Sequence, residues 1–102
     1  MMEAYTKEEA KEKVLKNIES LLNYWDSDIV SHRSRRERMN GLIFSMLVMF
    51  DGGQVNIPSM DIVLRPHPED EDYHKGEGES WFEDGMAIND DCQLHEVWVN
   101  RK

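Results

Sequence analysis

The sequence predicts an α+β domain: a two-helix pair, at about residues 7–25 and 35–50, packed on a small antiparallel sheet and carrying a long acidic loop. Three observations lead there. Apolar residues recur at helical spacing through the first half, the period changes to two beyond Gly52 and Gly53, and turn-forming and acidic residues dominate from Glu69 to Asp91. Elements that each bury one face are expected to cover one another.

Thr6 and Glu9 open the first helix with the spacing of a capping box, in which each side chain satisfies the other's backbone N–H. From Lys7 to about Trp25, residues Ala10, Val14, Ile18, Leu21, Leu22 and Trp25 form one apolar stripe. On the wet side, Glu9 with Lys13 and Glu12 with Lys16 have the acid-first order that contributes about 0.2–0.5 kcal/mol per pair. Residues 1–5 are expected to fray, and the polar connector Asp26 to Arg33, with room for a further turn, returns the chain antiparallel.

Ser34 and Glu37 make a second capping box, and the helix they open is apolar nearly all round. Met39, Leu42, Ile43, Met46, Leu47 and Phe50 gather on one face, with Phe44 and Val48 roughly opposite. Such a helix must be covered on several sides, and the small residues Gly41 and Ser45 mark where another element comes close. Asp51, Gly52 and Gly53 end it. Its apolar run falls well short of the ~20 residues that span a bilayer, so no membrane anchor is expected.

Strands are expected at about 60–65, where Met60, Ile62 and Leu64 share a face, and at 93–99, with a weaker one at 54–57. Pro66 and Pro68 end the first of these. Residues 66–92 read as mostly loop, pinned by Trp81 and Phe82. The segment QLHEVWVN alternates well enough for a strand, although eight residues also admit a short helix.

A chain of 102 residues makes a single domain, 1–102, able to bury ~60–70% of its unfolded surface. Cys92 is the only cysteine, so no internal disulfide forms. With no basic-then-apolar leader at the start, a cytoplasmic protein is expected. The net charge is -9, and its distribution is lopsided: residues 1–50 carry eight basic and eight acidic side chains, residues 51–102 four and thirteen. Phosphates are repelled by such a chain at long range, which disfavours nucleic acid and anionic membranes as partners.

Three polar clusters stand out. Arg33, Arg35, Arg36 and Arg38, with His32, surround the start of the second helix, where the macrodipole disfavours cations by about 0.3–1 kcal/mol each. They fit a phosphate or an acidic protein partner, pairing with the chain's own acidic half, or solvation. Glu69, Asp70, Glu71 and Asp72 head an acidic run that fits a solvated loop or a mimic of nucleic acid aimed at a host nucleic-acid-binding protein. His67, His74, Cys92 and His95 offer four zinc ligands, Cys92 and His95 with the two-residue gap of a zinc half-site; otherwise no cofactor is expected. No nucleophile elbow, phosphate-cradling glycine loop or catalytic pair is present, so no enzyme is expected.

The run RERMNGLIFSMLVMFDGG, followed by RPHPEDEDYHKGEGESWF and QLHE, resembles short phage and prophage accessory proteins over about Glu37 to Glu96. That resemblance implies a small non-enzymatic protein acting on a host or phage protein, and it brings no functional residues with it. The bipolar charge points the same way, to a protein that binds another protein or pairs with a second copy of itself as a homodimer.

Overall fold

Thr6 and Ser34 open the two long helices where the capping boxes place them. In the computed structural model, which describes residues 2–101, α1 spans Lys7–Trp25 and α2 spans Arg35–Phe50. Both boxes are closed: Glu9 N–H donates to Thr6 Oγ1 at 3.1 Å and Thr6 N–H to Glu9 Oε1 at 2.9 Å, while Glu37 N–H donates to Ser34 Oγ at 3.1 Å and Ser34 N–H to Glu37 Oε1 at 3.0 Å. A 3₁₀ turn at Asp28–Val30 lies in the connector and buries Val30. Met1, at the expected frayed start, lies outside the described residues, as does Lys102.

The small pair on α2 does what its size suggests. Trp25, at the end of α1, lies over Gly41 so closely that a Cβ there would overlap the indole ring. Its Nε1–H donates to Ser45 Oγ at 3.0 Å, which satisfies the indole donor in the packed interface.

The expected sheet does not form. The described residues contain four α-helices and no strand, so the fold is helical and not α+β. Of residues 93–99, read as a strand, Gln93 is the N-cap and the rest belong to α4 (Leu94–Asn100). At helical spacing Leu94 and Trp98 fall on one face, and that face meets α2. The Asp51 carboxylate decides the conformation by accepting the first N–H groups of the helix, from Leu94 and His95, both at 2.9 Å. Residues 54–57 form a turn in which Asn56 takes a left-handed conformation, φ 71°.

The segment at 60–65 has the alternation expected of a strand, with Met60, Ile62 and Leu64 half-buried and Asp61, Val63 and Arg65 exposed. Its partner is the return segment 85–89, not 93–99. Leu64 N–H donates to Met86 O at 2.9 Å, Gly85 N–H to Leu64 O at 2.8 Å and Ile88 N–H to Ile62 O at 3.0 Å, but only Val63 and Ala87 make an antiparallel bridge. One end of the pairing is closed by a side chain: Asn89, 8% exposed, accepts Ile62 N–H on Oδ1 and donates from Nδ2 to Met60 O, both at 2.8 Å. An isolated pair without a third strand does not extend into a sheet.

The region read as mostly loop, 66–92, holds α3 (Asp70–Gly76) at the head of its acidic run. Asp70, Glu71 and Asp72 stand in the first turn and His74 and Lys75 in the last, the arrangement the helix dipole favours at both ends.

Helix packing runs α1 against α2 and α2 against α4, with α3 outside it. α2 is thus the central helix, covered by helices on two sides and by the segment at 59–60 over its end. Val30, Met49 and Ile57 are the buried apolar side chains among the described residues, with Met49 fully enclosed. The result is a slab of 52 × 47 × 21 Å with a radius of gyration of 17.7 Å, against about 13 Å for a compact domain of this length. Its accessible surface is 8527 Å², whereas a compact monomer of 12.0 kDa exposes about 6,000 Å².

Candidate interaction face

The side of α2 that neither α1 nor α4 covers is where the arginines and the exposed apolar side chains meet. Met39 is 55% exposed and Ile43 41%, well above what a central helix should show. Two shallow depressions share Arg35 and Met39. One runs toward α1 and takes in Leu22, Trp25, Arg38 and Leu42, while the other, of about 780 Å³, runs toward α4 and takes in Arg36, Asn40, Ile43 and Trp98. Together they make an apolar band crossing all three packed helices, its border formed by Arg35, Arg36 and Arg38 with Asp26 and Glu37 among them.

Arg33 stands apart from the others, 3.8 Å from Glu37 one turn along. Arg35, Arg36 and Arg38 have no carboxylate at ion-pair distance among the described residues, so the expected pairing with the acidic second half is not made within the chain. Arg38 Nε–H is enclosed and has no acceptor. The cations remain at the positive end of α2, where their own helix disfavours them.

At the opposite end of α2 the charge is negative. The Asp51 side chain is only 3% exposed and serves as the anchor of α4, accepting Leu94 N–H, His95 N–H and, at 2.6 Å, His95 Nδ1–H. A carboxylate can only accept, so His95 carries its proton on Nδ1. The imidazole also stands edge-on to Phe44 of α2, with ring centroids 5.6 Å apart. Burial pushes the Asp51 carboxyl upward, but the His95 N–H, the His95 ring and the Leu94 N–H outweigh it and hold it below the usual aspartate range. Further along α4, Trp98 Nε1–H donates to Asn40 Oδ1 at 2.9 Å, which sets α4 antiparallel to α2.

Asp90 and Asp91 lie at this same end. Partial desolvation, then the charges of Asp91, Asp51 and Asp90, push the Cys92 thiol above its ordinary range, which keeps it protonated. A bipolar helix results, with three unpaired arginines at its start and three aspartates gathered past its end.

The four proposed zinc ligands have separate partners. His67 Nδ1 accepts Glu69 N–H at 3.2 Å, His74 Nδ1 meets Glu79 Oε1 at 3.0 Å, Cys92 Sγ lies 3.9 Å from Ile88 O, and His95 is held by Asp51. Among the described residues no three His, Cys, Asp or Glu side chains are grouped to hold a metal ion. The acidic run is likewise engaged locally: Asp70 Oδ2 accepts His67 N–H at 3.1 Å and Glu71 pairs with Lys75 at 3.3 Å, while Glu69 sits at the N-cap of α3 and Asp72 in its first turn.

Asp51, Asn40 and Asn89 were not legible as site or clamp residues, since a polar side chain beside a glycine stop reads as the end of one helix and not the cap of another. Pro68 followed by acids, then His74-Lys75 and Gly76, was a legible signal for α3. No known protein family, curated protein or solved structure matches the chain. No helix among the described residues is long and apolar enough to cross a membrane.

Proposed function

We propose that this chain is a small acidic, non-catalytic protein that acts by binding another protein through the uncovered side of the α1–α2–α4 layer, in the cytoplasm. The resemblance to phage and prophage accessory proteins fits such a role. One observation carries the reading: the surplus of about 2,500 Å² of accessible surface over a compact monomer. Part of it belongs to the projecting α3 segment. On the uncovered side Leu22, Met39 and Ile43 are large, apolar and exposed beside one another. Contiguous apolar surface rimmed by polar groups marks interaction sites in soluble proteins. The arginines give that rim a sign, and the high proportion of side-chain donors suits a partner surface rich in acceptors.

Photo-crosslinking in the source cell tests it. A photoreactive residue in place of Ile43 should give a discrete protein adduct, and the same residue in place of Lys16, on the wet side of α1, should not. Adducts at neither position, or the same adducts at both, would reject this face as the binding surface.

A further inference from the structure

Along the uncovered side of α2, Arg36, Met39, Ile43, Met46 and Phe50 follow one another in alternating steps of three and four residues. That is the spacing of a helix seam that packs against another helix. Met39 and Ile43 are exposed and Met46 and Phe50 half-buried, so the seam is formed but not fully occupied. Ile43 stands at its middle, midway between Arg35 and Asp51.

We infer that a second copy of this chain occupies the seam, α2 packing antiparallel on α2 of the partner copy across a two-fold axis beside Ile43. This rests on the reading of the uncovered side as an interaction face and names its occupant. Charge decides the occupant. An antiparallel copy brings Arg35 and Arg36 of one chain toward the negative end of α2 in the other, the end at which Asp51 holds the start of α4 and the preceding Asp90 and Asp91 lie. The same operator does this at both ends at once, as an isologous interface requires. A parallel pairing would instead stack arginines on arginines. The area is of the right scale: a standard interface removes about 800 Å² from each partner, against a surplus of about 2,500 Å² over the whole chain.

Two measurements test the dimer. Light scattering on the purified chain should give twice the 12.0 kDa of one copy, and Arg36→Glu should raise the dissociation constant about tenfold or more. In a Cys92→Ser background, Ile43→Cys should form a disulfide-linked dimer under mild oxidation, because residue 43 faces its own copy, whereas Glu12→Cys should not. Cysteine is small and apolar enough at position 43 to leave the helix intact. A monomer at the highest soluble concentration would overturn the inference, as would a dimer in which Ile43→Cys links no faster than Glu12→Cys. If the chain is monomeric while the photoreactive residue at Ile43 captures a different protein, the interaction face stands and the second copy does not. Failure of both removes the face itself.

Discussion

At Gly41 a hydrogen atom takes the place of a side chain where Trp25 crosses α2. Two effects of Gly41→Ala oppose each other: alanine favours the helix by up to about 1 kcal/mol, and the overlap with the indole costs about 1–3 kcal/mol. The overlap wins, so Tm should fall by several degrees. Gly76→Ala, where nothing lies within 4 Å, should leave it unchanged or slightly raised, and thermal denaturation compares the two. Asp51 supplies a second residue-scale prediction. Its folded pKa lies below its unfolded one, so its contribution is complete above the ordinary aspartate value of about 3.9 and is lost as pH falls through the lower folded value. Asp51→Asn should therefore lower Tm at neutral pH, and the gap from the native chain should close on acidification below about pH 4. A gap that stays constant with pH would mean that Asp51 acts by shape and not by charge.

The helices differ in how much they owe to the rest of the molecule. α3 is held by its own stretch of chain, with acids at its start, bases at its end, the Glu71–Lys75 pair at 3.3 Å, and Glu79 and Trp81 returning onto His74 and Lys75, and no helix packs on it. α4 has the same length, seven residues, also too few for an isolated helix, but depends on α2 for its cap at Asp51, its Phe44–His95 contact and its Trp98–Asn40 hydrogen bond. Proline at one position in each separates the cases. Tyr73→Pro should remove helical signal in circular dichroism with little change in Tm, because only a local unit opens. Val97→Pro should lower Tm substantially, because undocking α4 uncovers Phe44 and leaves the buried Asp51 carboxylate without its donors.

Over the whole molecule, the slab shape leaves the helical layer open on one side, and the proposed pairing would close it. A chain that completes its core by pairing should show a Tm that rises with protein concentration, by mass action. If arginines meet aspartates across that pairing, the Tm should also fall at high salt, since exposed charges are screened within about 8–10 Å. The local signals in the sequence were strong enough to determine both long helices: capping boxes and a 3.6-residue period specify α1 and α2 through neighbours three and four residues apart. The close approach at Gly41 and Ser45 was legible too, because residue size limits what can pack there. The sheet was not, because the alternation at 60–65 and at 93–99 records burial on one side without naming what does the burying. Tertiary structure alone decided that Asn89 would close the first segment and that Asp51, 43 residues away, would cap the second into a helix. Bonds between residues so far apart leave no local period behind. The same reason separates the arginines from their expected acidic partners: charge counts per half are set by composition, but only the antiparallel layer of α1, α2 and α4 leaves Arg35, Arg36 and Arg38 without a carboxylate at ion-pair distance at one end of a bipolar helix.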